Sequence, residues 1–225
     1  EWLKQVREFR RLILEVEDFP LQYFYDVRES IVRIRIENTH LEENELFDLR
    51  RSLSTIDCIV KILNHSDEDE SHAEENDGWR REKKYTYPSL HLLAKDIVTF
   101  PQIVQRIDQI LDKFGKIRDN ATPELLQIRR ELAKTEGSIS RTLYSILRSA
   151  QSEGVVEKDV TPTLRDGRLV IPVIPTLKKK IKGIVHDESA TGKTVFIEPT
   201  EVVEANNRVR ELEGEERKEI IRILT

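Results

Sequence analysis

One loop in this sequence has residue types and spacing that could bind a nucleotide phosphate. Gly192-Lys193-Thr194 matches the end of a phosphate-binding loop, whose full pattern is G-x-x-x-x-G-K-[ST] between a strand and a helix. The position of the first glycine holds Asp187, whose carboxylate would repel a phosphate. Val195–Pro199 follows, and its β-branched and aromatic residues predict a strand rather than the required helix. The backbone N–H groups of a helix N-terminus are therefore not expected here, and we predict no nucleotide site.

Composition limits the classes of protein that fit this chain. Charged residues make up 35% and aromatic residues 6% of the 225 residues, a balance that favours long solvated helices over one thick core. Cys58 is the single cysteine, so an intrachain disulfide is excluded and a reducing, cytoplasmic compartment is expected. No apolar run approaches the ~20 residues of a membrane-spanning helix, so we expect no membrane contact.

The first half of the chain carries apolar residues at helical spacing. They predict helices over 1–17 and about 42–63, and two short helices over 88–97 and 101–114 with proline near their starts. The segment 27–36 fits a helix or a strand, and we favour a helix. The acidic run over 64–84 predicts a solvated connection. A metal site using His65 and His72 is the alternative there, although the spacing does not match a calcium loop.

A long helix is the main architectural prediction. Thr122-Pro123-Glu124 has the cap, proline and acid of a helix start, and Gly154 predicts the helix end. Between them a narrow apolar stripe alternates steps of three and four residues: Leu125, Ile128, Leu132, Thr135, Ile139, Leu143, Ile146 and Ala150. A second stripe follows Pro199. Narrow stripes favour pairing with one or two helices, so we predict an antiparallel pair with a small domain at its tip.

Strand signals replace the helical ones over 155–198. Asp166-Gly167 stands between two apolar runs, which predicts a hairpin with a two-residue turn. Ile184-Val185 and Val195-Phe196-Ile197 flank the loop that contains Gly192, which predicts a second hairpin. We therefore expect three or four short strands in this stretch.

Charge reverses in the same stretch. Between residues 161 and 197 seven basic residues face three acidic ones, which gives +4 in a chain of net charge −5. The basic residues are Arg165, Arg168, Lys178, Lys179, Lys180, Lys182 and Lys193. A basic head on an acidic chain is typical of contact with nucleic-acid phosphates, and an edge strand protected by lysines is the alternative. Because stacking aromatics and base-reading groups are scarce, binding should ignore base sequence.

Several motifs resemble the second bacterial branch of the MutS family. They are RDGRLVIPV at 165–173, GIVHDESATG at 183–192, FIEP at 196–199, VVEANN at 202–207, IRDNATPEL at 117–125 and IRRE at 128–131. The resemblance is specific over 115–225 and looser over the first hundred residues. It implies a helical core over 1–120, an outgoing lever helix over 121–154, a β-rich clamp over 155–199 and a returning lever helix over 200–225. The expected fold is therefore mainly α, a helical core with a long antiparallel lever helix pair that carries a small β-rich clamp at its tip.

The resemblance also implies a function. Members of the wider family are DNA mismatch repair or recombination-suppressing ATPases that close paired clamps around duplex or branched DNA, and some carry an endonuclease domain. The phosphate loop for ATP and Mg²⁺, the dimerising ATPase and any nuclease would lie beyond Thr225, so no catalytic, cofactor or metal residue is implied here. Three alternatives stay open: contact with ribosomal RNA on the ribosome, an ATPase using Lys193 and Thr194, and a coiled-coil spacer.

Overall fold

The computed structural model of this protein describes residues 1–66 and 84–225. Most of the predicted acidic connection, including His72, lies outside these residues. The chain divides into two compact units. Unit 1 is Glu1–Arg118 with Leu224 and Thr225, and unit 2 is Asp119–Ile223. Within the described ranges, no group of histidine, cysteine and acidic side chains could hold a metal ion, and no helix is long and apolar enough to cross a membrane.

Unit 1 is helical. Its helices are α1 (Trp2–Glu15), α2 (Arg28–Arg33), α3 (Glu43–Leu63), α4 (Pro88–Ala94) and α5 (Pro101–Ile110). The helical interpretation of 27–36 is confirmed by α2. One core cluster joins α1 to α4 through Leu12, Tyr87 and Leu90, which are all buried.

Helix α5 ends earlier than the predicted 114 because a tight turn follows it. Leu111 is extended and forms a bridge with Ile117. The Asp112 carboxylate accepts hydrogen bonds from the backbone N–H groups of Phe114 and Lys116 at 2.8 and 2.9 Å. This local bonding competes with the helix and projects Phe114 from the turn.

Unit 2 combines two long helices with one antiparallel sheet. Its elements are α6 (Pro123–Ser152), β1 (Thr163–Arg165), β2 (Arg168–Val173), a 3-10 helix (Pro175–Lys180), β3 (Gly183–Glu188), β4 (Val195–Pro199) and α7 (Thr200–Leu224), of which the last residue belongs to unit 1. The strand order is β1-β2-β4-β3, with Ile171 opposite Ile197 and Gly183 opposite Pro199. Asp166 and Gly167 have φ values of 47° and 72°, so the predicted hairpin turn is confirmed.

The prediction of a long antiparallel lever helix pair with the sheet at its tip was wrong. The second half of α6 packs into one core with the sheet and the first half of α7, through Ile139, Leu143, Leu147, Ala150, Ile171, Val173, Val195, Ile197, Val202 and Val209. In the first half of α6, the predicted seam residues Ile128, Leu132 and Thr135 are only half-buried. From Ile139 onward the apolar stripe of α6 therefore packs against the sheet, while Leu125 in the first turn is buried outside that cluster. The described residues show no long lever pair.

Charged side chains link the remaining lengths of α6 and α7. Arg129 Nε lies 2.7 Å from Glu216 Oε1, and Arg208 Nε lies 2.9 Å from Glu131 Oε1. Long ion-paired side chains bridge a wider gap than the interdigitated apolar side chains of a coiled coil. Ion pairs therefore connect these lengths of α6 and α7.

The first turn of α6 provides a stability test. Thr122 Oγ1 accepts a hydrogen bond from Leu125 N at 3.1 Å and donates one to Glu219 Oε1 at 2.6 Å. We expect Thr122→Ala to lower the free energy of unfolding by about 1–2 kcal/mol, because a helix cap and a bond to a carboxylate are both lost. Urea unfolding followed by far-UV circular dichroism measures this. Thr122→Ser keeps the hydroxyl and should recover most of the loss, and equal stability of the two variants would contradict the cap.

Candidate nucleic-acid interface

Four of the predicted phosphate-binding lysines form one exposed group on unit 2. Lys178, Lys179 and Lys180 end the 3-10 helix, and Lys182 comes directly before β3. All four are exposed, while Ile181 between them is buried in the core of unit 2. We call these four residues the lysine segment. Among the residues that the structure describes, none of the four makes an ion pair, so their charge is available to a partner.

Part of the lysine segment borders a groove of about 350 Å³. Lys180 and Lys182 line it together with two carboxylates, those of Glu153 and Glu201. The carboxylates lower the positive potential inside the groove, so the strongest attraction for phosphate lies outside it.

Lys193 lies away from this segment. It belongs to the turn between β3 and β4, where Ser189 N donates to Thr194 O at 2.8 Å and Ser189 Oγ accepts from Thr194 N at 3.0 Å. Because Lys182 and Lys193 flank opposite ends of β3, about 20 Å separates them along the strand. The strand predicted after Gly192 is confirmed as β4, so the half-motif is a hairpin turn between two strands.

The two predicted arginines make contacts inside unit 2. The Arg165 guanidinium lies 4.2 Å from the centre of the Phe196 ring, and its Nε is 3.7 Å from Asp187 Oδ2. Arg168 is only 14% exposed, and its Nη1 donates to Glu198 Oε1 at 2.7 Å. Its Nη2 donates to Asn207 Oδ1 at 2.6 Å. Arg168 therefore holds β2 to β4 and α7.

Glu198 is the residue whose importance sequence reasoning missed. Its side chain is 0% exposed, and besides Arg168 it bonds His186 Nε2 at 2.5 Å and Asn206 Nδ2 at 2.7 Å. Burial alone would raise the pKa of this carboxyl, but the hydrogen bonds from His186, Asn206 and Arg168 outweigh burial and lower it. The available signal was a glutamate inside the otherwise apolar run of β4, since a buried charge requires partners.

These four side chains join β2, β3, β4 and the start of α7. Arg168 begins β2, His186 lies on β3, Glu198 lies on β4 and Asn206 lies on α7. The cluster fixes the relative positions of the elements that carry Lys182 and the 3-10 helix. It has the geometry of a structural ion-pair network that supports the exposed lysines.

Curated proteins similar to this chain share one name, although no family model matches the chain. A protein called Endonuclease MutS2 from Levilactobacillus brevis is 35% identical over 223 residues, which is 99% of this chain and 26% of the relative. Proteins of the same name from Geobacillus sp. and Alkaliphilus oremlandii are 35% identical over 206 residues and 30% identical over 223 residues, and cover 92% and 99% of this chain.

The chain spans about a quarter of the length of the curated relatives it matches, 26% of the first and 24% of the second. The matches run through both units, including the first hundred residues, where the motifs resembled the family less closely. Similarity along nearly all of its residues shows that this chain belongs to the MutS2 branch of the MutS family.

Proposed function

We propose that unit 2 binds the phosphate backbone of duplex or branched DNA without reading its base sequence. The lysine segment carries this proposal, because it places four exposed lysines within five residues, with no ion pair among the described residues. A lysine ammonium is a compact charge that contacts phosphate without the fork geometry that distinguishes bases. The name of the relatives, Endonuclease MutS2, supports a nucleic-acid substrate.

The other predicted residues have graded roles in this proposal. A strand of duplex DNA rises about 3.4 Å per nucleotide, so the ~20 Å between Lys182 and Lys193 spans about six phosphates. Lys193 therefore contacts a second part of the backbone, although Asp187 and Glu188 nearby weaken it. Arg165 also binds a phosphate in this proposal, and the phosphate replaces Asp187 as the partner of its guanidinium. Arg168 contributes mainly through position, since its guanidinium is held by Glu198 and Asn207.

For the whole protein, the family suggests a recombination-suppressing, DNA-repair ATPase with endonuclease activity that acts in the cytoplasm. In this proposal ATP, Mg²⁺ and the homodimer contacts belong to parts of the relatives that this chain does not match. The β-rich stretch 155–199 contributes the grip on DNA. Contact with ribosomal RNA uses the same phosphate chemistry and is the competing partner.

Charge reversal of the lysine segment tests the proposal. We expect the change of Lys178, Lys179, Lys180 and Lys182 to glutamate to weaken binding of a 30-base-pair duplex about 100-fold at ~0.1 M salt. The slope of log affinity against log salt should flatten by about 3.6, because four lysine–phosphate contacts and the counterions that they release are lost. Fluorescence anisotropy at several salt concentrations measures both quantities.

A matched variant separates local contact from net charge. Lys4, Lys95, Lys134 and Lys218 are exposed elsewhere on the chain, and their change to glutamate shifts the net charge equally. This control should bind DNA within a few-fold of the parent. Equal losses of DNA affinity in the two variants would refute the proposal that the lysine segment binds DNA. Unchanged affinity of the lysine-segment variant would refute it as well. If ribosomes displace the labelled duplex from the protein far more strongly than unlabelled duplex DNA does, the ribosomal RNA alternative is favoured.

A further inference from the structure

Unit 1 contains a cleft of about 930 Å³ that combines cationic and aromatic side chains. Its volume lies within the range of ligand-binding pockets, which is about 300–1,000 Å³. Arg50, Arg51, Lys113 and Arg118 line it against two carboxylates, Asp108 and Asp112. The wall of the cleft therefore has an excess of positive charge, although the chain as a whole is acidic.

Arg51 is held in this wall by aromatic rings. Its guanidinium carbon lies 4.3, 4.6 and 5.1 Å from the ring centres of Tyr25, Phe47 and Tyr23. Such cation–π contacts fix the orientation of the guanidinium while using none of its N–H donors. One donor, Nη2, bonds Asp48 Oδ1 at 2.6 Å. The Nε atom is buried and has no hydrogen-bond partner among the described residues, which is a costly state for a donor.

The other two arginines of the cleft differ in how far they are satisfied. Arg50 is neutralised by two hydrogen bonds to the Asp108 carboxylate, at 2.8 and 3.0 Å. Arg118 donates from Nε to the carbonyl oxygens of Asp108 and Leu111 at 3.0 and 2.8 Å. Arg118 is therefore held in place, and its two Nη groups bond no side chain or carbonyl within residues 1–66 and 84–225, so their donors can bind an anion.

Two aromatic rings at the cleft are open to solvent. Phe114 is 72% exposed at the turn after α5, and Tyr23 is 50% exposed. Tyr23 has a φ of 68°, a strained value for a bulky residue and of a kind that concentrates at binding sites. Exposed rings next to cationic donors match the two parts of a nucleotide, because bases stack on aromatic faces and phosphates bind guanidinium groups.

We infer that this cleft binds a nucleoside phosphate, with the base stacked on Phe114 or Tyr23 and the phosphate bound by Arg51 and Arg118. The ligand is either a free nucleotide or an unpaired nucleotide of a single strand, since both present the same ring and charge. The inference goes beyond phosphate-backbone binding by unit 2, because it requires a base and uses residues of unit 1 alone.

The test uses two probes on the 225-residue chain, ADP and a ten-nucleotide oligothymidylate, with binding measured by calorimetry. Phe114→Ala should weaken the binding of the preferred probe about tenfold, since stacking on one ring is lost. Phe114 is exposed, so this variant should fold normally. Trp2→Ala removes another exposed aromatic side chain and should leave binding unchanged. Arg51→Lys keeps the charge, removes the planar fork, and should weaken binding comparably.

The outcomes distinguish a free nucleotide from a single strand, and the cleft of unit 1 from the lysine segment of unit 2. Preference for ADP indicates a free nucleotide, and preference for the oligonucleotide indicates a single strand. The variant with four glutamates in the lysine segment should keep binding of the preferred probe at the cleft, so failure at one site leaves the other testable. Binding unaffected by both Phe114→Ala and Arg51→Lys would overturn the inference. So would binding of neither probe at millimolar concentration, or inorganic phosphate binding as tightly as ADP.

Discussion

Glu198→Ala is expected to destabilise unit 2 by about 3–5 kcal/mol, because it removes the buried carboxylate that Arg168, His186 and Asn206 share. Arg168 is only 14% exposed, so without Glu198 its charge stays buried, with Asn207 Oδ1 as its remaining acceptor in the part of the chain that the structure describes. Removal of one partner from a buried ion pair costs more than the pair contributes, since the remaining charge is not rehydrated.

Amide hydrogen exchange resolved to the peptides of β3 and β4 is the appropriate measurement, because it reports unit 2 separately from unit 1. Glu204→Ala removes an exposed glutamate from the same helix that carries Asn206 and serves as the matched control. Glu198→Gln keeps the shape of the side chain and one acceptor oxygen. Its loss of stability should therefore fall between the losses of Glu198→Ala and Glu204→Ala. Protection in Glu198→Ala equal to that of the control would show that the cluster contributes nothing to stability.

The same carboxylate gives unit 2 a defined acid sensitivity. Burial acts to raise its pKa, but its three hydrogen bonds lower the pKa in the folded protein below the ordinary value of 4.5. A carboxyl whose pKa is lower when folded contributes stability that is fully present above about pH 4.5 and lost as pH falls through the folded value. Glu198→Gln cannot titrate, so the stability difference between parent and variant should shrink as the solution is acidified through that range.

The features predicted correctly from sequence were those determined by neighbours along the chain. The start of α6 depends on Thr122 and Pro123, and the first hairpin depends on Asp166 and Gly167. The partner of α6 was predicted wrongly because an apolar stripe shows which face is buried and not what covers it. Either a helix or a sheet can cover the same apolar stripe. In the structure the sheet covers residues such as Leu143.

The candidate interface shows the same division. Exposure of the lysine segment follows from composition, since adjacent lysines are almost never buried. The engagement of Arg168 could not be predicted, because it depends on the pairing of β2 with β4, which places Ile171 opposite Ile197 and brings Arg168 near Glu198. The Arg51 cleft likewise brings together residues from distant parts of unit 1. Contacts between distant segments follow from strand register and helix packing, which sequence spacing alone does not supply.

Gly183→Ala is expected to lower the free energy of unfolding of unit 2 by about 3 kcal/mol, at the upper end of overpacking costs. A Cβ atom at Gly183 would overlap the carbonyl oxygen of Glu198 and lie 2.9 Å from Ile197 Cγ2. The backbone of β4 cannot retreat, since all its residues are buried. The hydrogen bond from Thr200 N to Lys182 O, 3.1 Å long, joins the end of β4 to the start of β3 and would be lost. The start of β3 must therefore separate from β4, and its amides should lose protection from hydrogen exchange.

Gly137 is the matched control for this substitution. It lies within α6, and a Cβ atom added there would meet nothing within 4 Å beyond its chain neighbours and the backbone of its own helix. Gly137→Ala should therefore raise stability by about 1 kcal/mol through helix propensity. If the same glycine-to-alanine change lowers the free energy of unfolding at Gly183 and raises it at Gly137, the close approach of the strands is the cause of the loss at Gly183. Because Lys182 directly precedes Gly183, separation of the strand also displaces the lysine segment, and DNA affinity should fall although all four lysines remain. Unchanged protection of the β3 amides in Gly183→Ala would contradict the close approach of the two strands. Unchanged DNA affinity despite lost protection would show that phosphate binding does not require the lysine segment to be fixed on the sheet.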